Sequence, residues 1–145
     1  MKTYWFAAVA SVLFTPSAFA GGHGGPGDAA AGEAIFNRCQ SCHVVRNDAG
    51  DVLAGRNGRT GPNLFGMVGR QAGSVEDFRY RPDLAAAGAD GLVWDAESMA
   101  AWIQDPSAFL REATGNSSAR AGMPPQRLSP EEAQNVVAFI ASLDG

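Results

Sequence analysis

Cys39 and Cys42 are the only two cysteines, and a histidine follows at once, giving Cys39-Gln40-Ser41-Cys42-His43. A C-x-x-C pair alone suits a thiol redox site or half of a zinc site. Zinc would need further ligands, and the only other histidine is His23, in a glycine-rich stretch. A thioredoxin-like site normally follows a strand in a βαβ unit, and no alternating strand pattern precedes Cys39. The chemistry left is that of C-x-x-C-H, the attachment motif of c-type haem. Two thiols add across the two vinyl groups and form thioethers. Residues three apart on a helix point to the same side, as attachment to one flat ring requires. His43, next in line, can reach the iron.

Such attachment happens outside the cytoplasm, and the start of the chain supplies the export signal. Lys2 is its lone charge, an apolar run extends from Trp5 to Phe14, and Ala18-Phe19-Ala20 has the small-x-small form of a cleavage site. The run is too short to span a bilayer. Residues 1–20 read as a secretory signal peptide cut after Ala20. Residues 21–27 are then a flexible glycine-rich leader, and residues 28–145 form one domain. Of 145 residues, 46% are hydrophobic and 18% charged, which excludes a disordered chain, a collagen and a multi-span membrane protein. The exported chain keeps ten basic residues, all arginine, against fifteen acidic ones. A basic nucleic-acid binder is thereby excluded.

The elements around the motif read as helical. Asp28 can cap a helix from Ala29 to about Cys42, with Ile35, Phe36 and Cys39 on its apolar side. Gly32 within it costs about 1 kcal/mol against alanine, which suggests close helix packing. From Val44 to Asp90 the chain reads as loop, with turn signals at Asp48-Ala49-Gly50-Asp51, Asn57-Gly58 and Gly61-Pro62. A second helix runs from Asp95 to Gln104 with Met99, Trp102 and Ile103 inward, and Pro106 marks its end. A short helical piece follows through Phe109 and Leu110. Ser129-Pro130-Glu131-Glu132 is a capping box with proline at the first helical position. It opens a last helix with Val136, Phe139, Ile140 and Leu143 at helical spacing. A loop so long is unusual in a small domain unless it wraps a cofactor.

These stretches together resemble the class I cytochromes c, and most of all the bacterial cytochromes c2 with long loops. The resemblance runs from about Asp28 to Leu143. It is carried by Gly32 to Phe36, Cys39 to His43, Arg59-Thr60-Gly61-Pro62-Asn63-Leu64-Phe65-Gly66, Val68-Gly69-Arg70, Phe78-Arg79-Tyr80, Trp94, Trp102 to Pro106 and Met123-Pro124. It implies an all-α fold, with three main helices, short helical pieces and long loops wrapped around one covalent haem c. His43 would be the proximal iron ligand, its other ring nitrogen donating to the Pro62 carbonyl. Arg70, Tyr80 and Trp94 match positions that hold the haem propionates, whose burial needs donors or positive charge. Gly32 and Phe36 would meet Phe139 where the first and last helices cross. The sixth ligand matches Met123, eighty residues after His43, in the stiff Gly122-Met123-Pro124-Pro125 stretch. Met67 falls on the histidine side by the family pattern, and Met99 reads as core. A thioether facing an imidazole ligand favours ferrous iron and raises the potential.

The resemblance further implies a soluble periplasmic one-electron carrier rather than an enzyme, monomeric and without a membrane anchor. It would take electrons from a cytochrome bc1-type complex and pass them to a reaction centre or a terminal oxidase or reductase. Two other readings are a small haem peroxidase or gas-binding cytochrome, and a dedicated electron-transfer subunit of a larger redox enzyme. The first needs an open sixth position, and the second an apolar docking face.

Four features depart from the pattern or lie outside it. Trp102 stands where relatives usually carry tyrosine near the axial methionine. The exported chain has no lysine, so a lysine cannot replace methionine at high pH. Relatives that serve reaction centres ring the haem edge with lysines, whereas here Arg38, Arg59, Arg120 and Arg127 are the cations near the ligand-bearing segments. Cleavage after Ala20 leaves Gly21-Gly22-His23, a nitrogen set suited to Cu(II) or Ni(II).

Overall fold

The computed structural model describes residues 27–144. The signal segment and the Gly21-Gly22-His23 motif lie outside them. Helix α1 is Ala29–Phe36, followed by strands β1 (Val44–Arg46) and β2 (Val52–Gly55), then α2 (Pro82–Ala89), α3 (Ala96–Gln104), α4 (Pro106–Thr114) and α5 (Pro130–Ser142).

Asp28 caps α1 as its sequence suggests, accepting the Ala30 and Ala31 amides at 2.8 and 3.1 Å. The regular helix is shorter than expected, ending at Phe36 rather than near Cys42. The Asn37 side chain takes the Ala34 carbonyl at 3.1 Å, the one a continuing helix would give to the Arg38 amide. Arg38 bonds Ile35 at 3.0 Å instead, and tight three-residue turns carry the chain through Cys39 and Cys42.

Helix α5 opens with the full capping box: Ser129 Oγ accepts the Glu132 amide and Glu132 Oε2 accepts the Ser129 amide. Its buried face is Ala133, Val136, Val137, Phe139 and Ile140. Helix α1 crosses it with Gly32 against the Asn135 carbonyl, where a Cβ has no room. The Phe36 and Phe139 rings meet there at 5.3 Å between centroids. Such a pair contributes about 0.5–1.5 kcal/mol beyond its buried area.

The stretch from Val44 to Asp90 is less irregular than the sequence suggests. β1 and β2 form an antiparallel hairpin with Val44 facing Gly55 and Val45 facing Ala54. Strands of three and four residues give too little alternation to recognise. Helix α2 starts at Pro82 with Asp83 in its first turn, and its Gly88 packs against the Ala72 carbonyl. After α3, Asp105 Oδ1 caps α4 through the Ala108 amide at 2.9 Å. α4 is as long as α3, nine residues, rather than a short piece. No helix among the described residues is long and apolar enough to cross a membrane.

Candidate haem site

The hairpin positions the proximal side. Asn63 bridges to β1, its Oδ1 accepting the Arg46 amide at 2.9 Å and its Nδ2 donating to the Arg46 carbonyl at 2.8 Å. The Leu64 amide donates to Val44 at 2.9 Å and the Gly61 amide to Cys42 at 2.8 Å. These bonds lay Gly61-Pro62 under His43. The Pro62 carbonyl lies 2.9 Å from His43 Nδ1. The opposite ring nitrogen, Nε2, is the one not engaged by the Pro62 carbonyl. Gly61 touches the imidazole so closely that a Cβ would overlap the ring. Burial lowers the His43 pKa, and the Pro62 bond only partly opposes this, so the ring is held in its neutral, metal-binding form.

Above His43 opens a cavity of about 290 Å³, bordered by Cys39, Cys42, Tyr80, Trp94, Trp102 and Met123. Leu64, Leu84, Ile103, Val136 and Ile140 complete its apolar wall. Water fills about 30 Å³ per molecule and needs polar partners, which such a wall hardly offers. A flat apolar group bonded to the two thiols suits it. Burial pushes the Cys39 thiol up, Arg38 pulls it back, and Cys42 pushes it up again. Cys39 and Cys42 form no disulfide, so both sulfurs remain available for attachment.

One polar atom in this wall tests the fit. Tyr80 Oη is buried with no hydrogen-bond partner among the described residues. A buried donor without a partner costs about 1–3 kcal/mol, so it marks a place for a group such as a propionate. Burial raises the Tyr80 pKa; the nearby Val75 backbone and the Arg70 charge oppose this without forming a bond of good geometry. The phenol therefore stays a donor at neutral pH. The residues present fit a haem.

Arg70 sits beside the wall rather than in it. Its Nε donates to the Gly66 carbonyl at 3.0 Å and its Nη2 to Phe65 at 3.4 Å. Trp94 is buried, and its backbone pairs with the same loop, through Arg70 and Gly69 at 2.9 and 2.7 Å. Trp102 packs edge-on against Trp94 at 5.3 Å and Phe109 at 6.0 Å. Met67 and Met99 are buried and also border the cavity.

Of the four arginines named from the sequence, only Arg38 borders the cavity; Arg79 and Arg81 join it there. All three are exposed. Arg79 and Arg81 flank Tyr80 in sequence, and that adjacency was the available signal. Gly61 and Asn63 were visible within the stretch that carries the resemblance, but without a role of their own.

A helical shell around an apolar cavity, with two thiols and a neutral imidazole in its wall, defines a c-type haem protein. The model of the cytochrome c family matches residues 29–144, and the chain belongs to that family. It is 48% identical over 117 residues to cytochrome c2 of Rhodovulum adriaticum, covering 81% of this chain and 93% of that one. Cytochrome c-551 of Roseobacter denitrificans is 48% identical over 119 residues, covering 82% and 83%. The crystal structure of cytochrome c2 from Rhodobacter sphaeroides superposes with a TM-score of 0.77 at 44% identity, covering 80% of this chain and 95% of that one. The protein is an electron carrier holding one covalent haem c.

Proposed function

We propose that the protein is a soluble periplasmic one-electron shuttle between membrane redox complexes, not an enzyme, with His43 and Met123 as its two axial ligands. A bound haem supplies an iron that cycles between ferrous and ferric. The observation that carries the ligand pair is that His43, oriented by Pro62, and Met123 border the same apolar cavity. His43 and Met123 would then both hold the iron, and this would leave it no open position for a substrate. Tyr80 and Trp94 offer donors to the propionates, and Arg70 places positive charge behind Tyr80. Residues 1–20 serve as the export signal, residues 21–27 as a leader, and residues 28–145 as the haem domain.

Arg38, Arg79 and Arg81 give the cavity mouth a positive rim on a protein that is acidic as a whole. Such a rim steers an acidic partner surface and acts mainly on the encounter rate. Donor and acceptor are then a cytochrome bc1-type complex and a reaction centre or terminal oxidase or reductase, met by a monomeric carrier. The test is stopped-flow electron exchange with each purified complex against ionic strength. The rate should fall as salt shortens screening to about 8 Å at 0.15 M, and fall at low salt in Arg79→Glu and Arg81→Glu. A rate indifferent to both would favour an apolar docking surface and a subunit of a larger enzyme. Rapid cyanide or carbon monoxide binding by the unmodified protein would favour the peroxidase or gas-binding reading.

A further inference from the structure

Met123 sits in a strap between α4 and α5 whose middle, Gly122-Met123-Pro124-Pro125, includes two prolines that lack an N–H. The strap is pinned at its ends. At the first end the Arg120 amide donates to Asp83 Oδ2 at 2.8 Å and the Ala121 amide to Ser107 Oγ at 3.0 Å. At the other, Gln126 is the anchor. Its amide donates to the Ile103 carbonyl at 3.2 Å and its Nε2 to the Pro124 carbonyl at 2.8 Å. Its own carbonyl accepts Arg38 Nη2 at 3.0 Å.

Asp83, Ser107 and Ile103 belong to α2, α4 and α3. Arg38 differs from them, because it directly precedes Cys39. Among the described residues its hydrogen bond is the one that ties the strap to the turn carrying both attachment cysteines and His43. We infer that Arg38 is a positioning residue for the sixth ligand. By holding the Gln126 carbonyl it fixes the strap relative to the haem-bearing turn, and so governs how often the Met123 sulfur leaves the iron. This role acts within one molecule and needs no partner, unlike a docking charge. It rests on the reading of Met123 as ligand.

The test uses the ferric holoprotein and imidazole as probe, at mildly alkaline pH where the probe is uncharged and Arg38 does not repel it. Entry of the probe is limited by departure of the sulfur. Arg38→Ala should speed binding by about tenfold, the loss of one charged hydrogen bond, with Arg38→Lys in between. The near-infrared band of sulfur–iron bonding should also fade at lower temperature in Arg38→Ala. Arg56→Ala, at another exposed arginine, should match the unmodified protein. An Arg38→Ala rate equal to the unmodified one, or an Arg56→Ala rate raised as much, overturns the inference. Met123→Ala separates the two readings: if it binds imidazole no faster than the unmodified protein, the ligand assignment is what fails.

Discussion

Gly61 and His43 share a contact in which the backbone of one lies directly against the ring of the other, with no space for a side chain between them. The ring cannot retreat without giving up its 2.9 Å contact with the Pro62 carbonyl. Gly61→Ala should therefore destabilise the holoprotein by about 1–3 kcal/mol, the usual cost of overpacking. Denaturant titration measures it. An unchanged midpoint would mean that the hairpin yields freely and does not fix the histidine.

Tyr80 offers a buried hydroxyl to a charged partner. Tyr80→Phe removes that donor and leaves a propionate charge less compensated, which favours ferric iron. The potential should fall by about 40 mV, equivalent to about 1 kcal/mol for one electron. A potential that stays put in redox titration would reduce Tyr80 to a packing residue.

Trp102 joins Trp94 and Phe109 in one aromatic group on the cavity wall. Its indole can only donate a hydrogen bond, whereas a tyrosine hydroxyl can also accept. Trp102→Tyr should shift the potential by some tens of millivolts while the near-infrared band persists. If the band persists and the potential does not move, Trp102 acts through volume alone.

Asp95 caps α3 and shares a reciprocal box with Ser98. Bonds from the Ser98 amide and hydroxyl hold its carboxyl below the ordinary 3.8. Its folded value is thus lower than its unfolded one. The stability it contributes is fully present above pH 3.8 and is lost as pH falls through the lowered folded value. Asn caps nearly as well but does not titrate. Asp95→Asn should keep its stability near neutral pH and show a shallower loss in acid. An identical acid profile in denaturant titrations would dissociate Asp95 from acid unfolding.

How legible the molecule was depends on whether a local rule decides each part. The caps at Asp28, Asp95 and Ser129 are short-range hydrogen-bond patterns, and helices begin where those residues stand. Gly32 signalled the α1–α5 crossing because only close packing justifies a glycine there. The end of α1 was misjudged because a single side chain, Asn37, captures a backbone carbonyl, and composition does not reveal that. The hairpin and α2 were missed for different reasons. Strands of three and four residues carry little period, and α2 is half alanine, with Leu84 as its one large aliphatic side chain. Arg79 and Arg81 became rim residues only through the tertiary path of the loop around Tyr80. Arg38 was visible as a charge, but its bond across 88 residues to Gln126 was not.

The central claim is that His43 and Met123 together close the iron's coordination sphere. Its most direct measurement is the near-infrared spectrum of the ferric holoprotein, taken before and after Met123→Ala. The account predicts a weak sulfur–iron band in the unmodified protein, its loss in Met123→Ala, ready carbon monoxide binding by the reduced variant, and a lower potential. A ferric protein without that band, or a Met123→Ala variant that keeps it, would contradict the account.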